Sequence, residues 1–130
     1  MHRYDIVFDG GSRGNPGEGY GTFRTRPAGA IWSPPVRLAF GKRVTGNEAE
    51  YRTLVAALTT LADDLGDAAG AAVEVFGDSQ LVICQMRGEW KVRAANLAPL
   101  FAAAERAAAR FGAVTFTWQP RARSVELLGH

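Results

Sequence analysis

The chain has few of the features that would place it outside the ordinary globular proteins. Its one cysteine, Cys84, cannot form a disulfide within the chain, and it follows the apolar residues 81–83, which predicts a core position. No apolar run approaches the roughly 20 residues needed to span a bilayer, and the apolar stretch near the N-terminus is too short for a signal peptide. The absence of paired cysteines suits a reducing compartment. We therefore expect a cytoplasmic protein with no membrane association.

Neither sign of charge dominates, since 15 Lys and Arg stand against 13 Asp and Glu in 130 residues, a net charge of +2. This bias suits a polyanionic partner, because each phosphate that a protein neutralises releases counterions. The alternative is an ordinary solvated surface, which fits so small a net charge equally well. The chain offers no Ser–His–Asp or Cys–His arrangement that would indicate a protein nucleophile. The more informative residues are acidic.

Asp9 follows the apolar run 6–8 and begins the segment DGGSRGNPG at 9–17. A carboxylate at the end of a buried strand, followed by small turn residues, is held rigidly at a sheet edge. The glycines allow another backbone to approach, because they have no Cβ to block it. The alternative is a polar turn in which Asp9 accepts hydrogen bonds from local amides.

Glu50 lies on the apolar side of a predicted helix. Segment 47–65 has apolar residues at the spacing of one helix face, and Glu50 is four residues before Leu54 on that stripe. Thr45 or Asn47 would serve as the N-cap. The alternative is a favourable charge near the positive end of the helix dipole. That alternative explains an acid in the first turn, but not one on the buried face, where a carboxylate needs a partner.

Asp78 follows a predicted strand at 72–77 and precedes a predicted helix at 79–87. An N-cap role would explain this acid in isolation. Together with Asp9 and Glu50, however, it makes a set of acids on elements that can lie side by side. Mg²⁺ prefers carboxylate and water oxygens and is typically held by a few carboxylates together with substrate phosphate. The three acids therefore predict a site for hard divalent cations.

The remaining pattern predicts an α/β fold formed by a single domain over residues 1–130. Three antiparallel strands followed by alternating helices and strands predict a five-stranded mixed β-sheet flanked by α-helices. The predicted strands are 3–9, 18–26, 35–44, 72–77 and 113–118, and the predicted helices are 47–65, 79–87 and 95–111.

The motifs DGGSRGNPG at 9–17, TGNEAEY at 45–51 and GDSQLVI at 77–83, in this order, resemble the type 1 ribonuclease H family. The similarity continues through residues 88–92 to Pro120-Arg121, so it covers nearly the whole chain. It is greatest to the compact members that lack a separate hybrid-binding domain and a long basic insertion. The resemblance implies a ribonuclease H-like fold.

The resemblance also implies a function and a set of site residues. It implies an endonuclease that hydrolyses the RNA strand of RNA–DNA hybrids, with Asp9, Glu50 and Asp78 as catalytic metal ligands. We expect the protein to be a monomer. Two Mg²⁺ ions about 3.5–4 Å apart would bridge the scissile phosphate, and Mn²⁺ could substitute for them. The implied substrate-binding residues are Gly10, Gly11, Ser12, Asn15, Asn47 and Gln80.

The tail departs from the family. Its members usually end in Pro-Arg-x-x-Asn-x-x-Ala-Asp, whose final Asp is the fourth acid of the metal site. In this chain Ser124 stands at the Asn and Leu128 at the Asp, while Glu126 is the only acid after Pro120. We predict Glu126 as the fourth catalytic metal ligand. The alternatives are His130 as that ligand, or a site with three acids.

Two other functions remain open. A nucleic-acid-binding module that has lost catalysis would explain Leu128 at the position of the fourth acid. A structure-selective nuclease of the same fold would share the carboxylates. Such enzymes usually need dimerisation or additional DNA-binding elements, for which 130 residues leave little room.

Overall fold

A computed structural model describes residues 1–129 and contains one mixed sheet with helices on it. The sheet order is β3-β2-β1-β4-β5, with antiparallel β1–β2 and β2–β3 pairs and parallel β1–β4 and β4–β5 pairs. This confirms the predicted fold class. The elements are β1 (His2–Gly14), β2 (Gly17–Pro27), β3 (Val36–Val44), α1 (Gly46–Leu65), a 3₁₀ turn (Ala68–Gly70), β4 (Ala71–Gly77), α2 (Gln80–Met86), α3 (Ala98–Ala108), β5 (Ala113–Trp118) and α4 (Arg121–Leu128).

The central strand β1 separates two layers of side chains, because successive residues of a strand point to opposite faces. Ile6 and Phe8 are fully buried in the main core, together with Leu54 and Leu58 of α1. Each fully buried apolar side chain of this size stabilises the fold by about 1.5–3 kcal/mol. Val7, between Ile6 and Phe8, is also fully buried but lies outside that core. The helix α4 packs against β1, β2 and β4.

Three local predictions are wrong. The segment Gly10–Gly14 is not a turn, because β1 continues to Gly14 and pairs with β2 up to Gly17. The helix predicted at 95–111 spans only Ala98–Ala108, and α4 was not predicted. Cys84 is half-buried and is not a core residue. Among residues 1–129, no helix combines the length and the apolar character that crossing a bilayer requires.

Candidate active site

Two of the three predicted acids meet where the parallel pairing of the two central strands stops. The β1–β4 register ends at Phe8 and Gly77, so Asp9 and Asp78 are the next residues of their chains. Beyond this point β1 pairs only with β2, where Asp9 lies opposite Thr22. Asp9 therefore projects from within β1 and Asp78 from the end of β4, side by side at the point where the parallel pairing stops.

The start of α1 brings the third acid to this edge. Thr45 is the N-cap, and a capping box with Glu48 fixes the first turn: the Glu48 amide donates to Thr45 Oγ1 at 3.1 Å, and the Thr45 amide donates to Glu48 Oε1 at 2.9 Å. The helix then passes close over Gly10, where a Cβ would lie 2.7 Å from backbone atoms of Ala49 and Glu50. The missing side chain at Gly10 thus allows Glu50 to lie beside Asp9.

The three acids form a compact buried group. Each of Asp9, Glu50 and Asp78 offers a carboxylate oxygen, and these oxygens all lie within 4.8 Å of one another. Glu50 is only 7% exposed, and its Oε2 has no hydrogen-bond partner among the described residues. Oxygens this close, with one of them buried without a donor, fit a hard divalent cation.

The electrostatics of the group agree with that fit. Burial, and then the charges of Asp9 and Asp78, raise the pKa of Glu50 well above its ordinary value. Burial and the charge of Asp9 also raise the pKa of Asp78, while the Arg121 guanidinium lowers it. Three carboxylates this close in a buried site repel one another. Either protonation or a bound cation reduces that repulsion.

Arg121 is a site residue that we did not predict. Its Nη1 lies 3.7 Å from Asp9 Oδ2 and 3.5 Å from Asp78 Oδ2, and its side chain is 67% exposed. Close by, Trp118 Nε1 donates to the Asp78 carbonyl oxygen at 3.1 Å. The sequence places Arg121 in the similarity to the family and among the basic residues of the segments expected to surround the substrate, but without α4 its position beside the acids could not be assigned.

The structure places Glu126 apart from the three acids. It lies on the exposed side of α4, where Arg123 Nη1 donates to its Oε1 at 2.9 Å, and it is not part of the acid group. Leu128 is fully buried, and Ser124 accepts a hydrogen bond from Gln119 at 3.0 Å. His130 lies outside the described residues. The identity of a fourth ligand remains a prediction.

The predicted substrate residues surround the same end of the sheet. Ser12 Oγ donates to the Val44 carbonyl at 2.6 Å, and Asn15 Oδ1 accepts from the Gly46 amide at 3.1 Å. Gly11 lies under the Tyr20 ring, and Gln80 is exposed at the start of α2. A pocket of about 260 Å³ brings two of the predicted residues together with the start of α1; it is lined by Asn15, Thr45, Gly46, Asn47, Ala94, Asn96 and Leu97.

A larger open cavity, of about 1080 Å³, contains none of the predicted residues. It lies along the sheet and is lined in part by Arg3, Asp5, Glu74 and Arg87. Its size alone does not make it the active site, because the acid group and the predicted substrate residues lie elsewhere.

Comparison with known proteins gives consistent matches. Residues 25–126 match the model of a family described as reverse transcriptase-like. The bifunctional protein Rv2228c of Mycobacterium tuberculosis is 40% identical over 120 residues, which are 92% of this chain and 32% of that protein. Ribonuclease HI of Halobacterium salinarum is 40% identical over 96 residues, 68% of this chain and 42% of that protein. The chain thus spans about a third of the length of the first of these relatives.

Solved structures agree over almost the whole chain. The N-terminal RNase H domain of Rv2228c superposes with a TM-score of 0.85 at 34% identity, covering 99% of this chain and 95% of that one. LC11-RNase H1 in complex with an RNA/DNA hybrid superposes with a TM-score of 0.86 at 30% identity, covering 95% and 89% of the two chains.

Proposed function

The chain belongs to the type 1 ribonuclease H family, and from this premise we propose that it is an endonuclease that hydrolyses the RNA strand of RNA–DNA hybrids. The observation that carries the proposal is the buried group of Asp9, Glu50 and Asp78, whose carboxylate oxygens lie within 4.8 Å of one another. LC11-RNase H1, a related protein of similar structure, is in complex with an RNA/DNA hybrid.

The residues present fit divalent metal, as the family implies, and we propose Mg²⁺, two ions per site, with Mn²⁺ able to replace it. Asp9 lies beside both other acids and would be shared, while Glu50 and Asp78 would each complete one side of the site. When bound, the metal lowers the pKa of an attacking water and stabilises the leaving oxygen. The protein supplies a rigid acid frame, because Asp9 is held within the paired strand β1, Asp78 at the end of β4 and Glu50 at a capped helix start.

We propose that the substrate residues read the RNA strand at its 2′-hydroxyls, the groups that distinguish RNA from DNA. The Ser12 hydroxyl proton is already donated to Val44. Its oxygen is therefore left as an acceptor for a 2′-hydroxyl. Asn47 and Gln80 are exposed, three residues before Glu50 and two residues after Asp78 in the sequence, and the amide group of each can both donate and accept hydrogen bonds.

A cleavage assay with one matched control tests this proposal. Labelled RNA–DNA hybrid, duplex DNA and single-stranded RNA are incubated with the protein in Mg²⁺ and in EDTA. We expect Mg²⁺-dependent cutting of the hybrid RNA only, its loss in Asp9→Asn, and its retention in Asp63→Asn, which changes an exposed acid paired with Arg110. More than a few per cent of activity in Asp9→Asn, or efficient cutting of duplex DNA, would contradict the proposal.

The buried Leu128 favours a second candidate, a hybrid-binding module without catalysis. Leu128 stands at the position of the family's fourth acid, and the acid group among the described residues has three members. This candidate predicts that the protein slows the migration of the hybrid in a native gel but does not cut the hybrid in either Mg²⁺ or Mn²⁺. Cutting in either metal eliminates it.

A further inference from the structure

The guanidinium of Arg121 lies next to the buried acids. Arg121 is the first residue of α4, and its Nη1 lies 3.7 Å from Asp9 Oδ2 and 3.5 Å from Asp78 Oδ2. These acids are almost fully buried, with side chains 5% and 8% exposed, whereas the Arg121 side chain is 67% exposed. The buried carboxylates of Asp9 and Asp78 thus contact a guanidinium whose long side chain is mostly exposed to solvent.

The geometry makes the guanidinium a competitor for the same oxygens. A divalent cation held by Asp9 Oδ2 or Asp78 Oδ2 would lie next to the positive charge of Arg121. Two cations a few ångströms apart repel each other, and at a partly buried site salt screens this repulsion only weakly. Because the arginine side chain is exposed, it can relieve the repulsion by turning into solvent, so its displacement costs two long contacts, of 3.7 and 3.5 Å, made by a largely solvated cation.

We propose that Arg121 is a displaceable counter-cation of the acid group, which partly neutralises Asp9 and Asp78 until a divalent cation takes its place and so sets the metal concentration at which the site fills. This inference rests on the proposed function, since it assigns Arg121 a role toward the metal that function requires. Arg121 is a positioning and tuning residue in this account, and it is no metal ligand.

Calorimetric titration of the protein with MgCl₂ and with MnCl₂, without nucleic acid, tests the inference. An ion pair stabilises weakly when its cation is largely solvated, so we expect Arg121→Ala to bind metal about two- to fivefold more tightly than the unaltered protein. Arg121→Lys keeps the charge and should fall between the two. The matched control is Arg123→Ala, which removes the same charge from the same helix but from a pair with Glu126; its metal affinity should not change.

Thermal melts separate this role from a merely structural one. In EDTA, Arg121→Ala should melt lower than the unaltered protein, because the acids lose their counter-charge, and saturating Mg²⁺ should close the gap. An equal gap with and without metal would overturn the inference, as would unchanged or weaker metal binding by Arg121→Ala, or equal tightening by Arg123→Ala. Failure of the unaltered protein to bind either metal would instead refute the proposed function.

Discussion

Replacing Glu50 with glutamine should stabilise the protein in the absence of metal and abolish its response to metal. The carboxylate oxygens of the three acids lie within 4.8 Å of one another. At an effective dielectric constant of about 20, each fully ionised pair at that distance is repelled by about 3.5 kcal/mol. Glu50 takes part in two of the three pairs, and protons and Arg121 relieve part of the repulsion. We expect Glu50→Gln to raise the free energy of unfolding in EDTA by about 1–3 kcal/mol at pH 8.

The pH dependence follows from the raised pKa of Glu50. Below its ordinary value of 4.5, the group is protonated in both the folded and the unfolded protein, and the amide brings no advantage. As the pH rises toward the folded pKa, the unfolded protein releases the proton first, and the unaltered protein loses stability that Glu50→Gln keeps. The gap between the two should therefore open with rising pH.

Urea melts of both proteins from pH 4 to pH 9 in EDTA measure this gap. Glu48→Gln, two residues away on α1, is the matched control, because the pKa of Glu48 is shifted in the opposite direction to that of Glu50. The hydrogen bond from the Thr45 backbone is the main cause of this lowered pKa. This control should be destabilised at neutral pH, by an amount that shrinks as the pH falls through the folded pKa. Adding saturating Mg²⁺ should stabilise the unaltered protein and leave Glu50→Gln unchanged. A Glu50→Gln variant that is less stable than the unaltered protein in EDTA at pH 8 would refute the reasoning.

Three further predictions concern the site and its substrate. Gly10→Ala should lower the free energy of unfolding by about 1–3 kcal/mol in urea melts and remove most of the activity, because its Cβ would meet the backbone at Ala49 and Glu50. Gly46→Ala places its Cβ in open space and should be tolerated in the same melts. If three acids suffice, Glu126→Gln should alter stability by less than about 0.5 kcal/mol and change the cleavage rate little. The exposed ion pair of Glu126 with Arg123 favours this outcome. A slow variant with weakened Mg²⁺ dependence would instead identify Glu126 as the fourth ligand. A hybrid with deoxynucleotides across the scissile site should resist cutting in the labelled-strand assay, and equal cutting would contradict 2′-hydroxyl recognition.

The convergence of the acids could be predicted from sequence because it follows from simple geometry. Asp9 and Asp78 each follow an apolar run, and the parallel pairing of the two runs stops just before both acids. Glu50 lies on the apolar stripe of α1, so helical periodicity alone turns it toward the sheet. Of the two residues predicted as possible N-caps, Thr45 and Asn47, Thr45 is the one observed. The monomeric state, the single domain and the cytoplasmic location stay predictions.

The errors arise where tertiary contacts override local preference. Gly10–Gly14 has the composition of a turn, yet it pairs with the equally glycine-rich start of β2. The start of α3 is fixed by a proline in its first turn. In α4 only Ser124 and Leu128 are buried, so no apolar stripe marks the helix in the sequence. Without that helix, Arg121 could not be placed beside the acids.

The most direct test of the central claim is to follow both strands of one RNA–DNA hybrid in a single reaction. The hybrid carries a different fluorophore on each strand and is incubated with the protein in Mg²⁺, and the products are separated on a denaturing gel. We predict internal cuts in the RNA strand, an intact DNA strand, and no product in EDTA. Cutting of the DNA strand, or an uncut RNA strand in both Mg²⁺ and Mn²⁺ with the hybrid bound, would contradict the account.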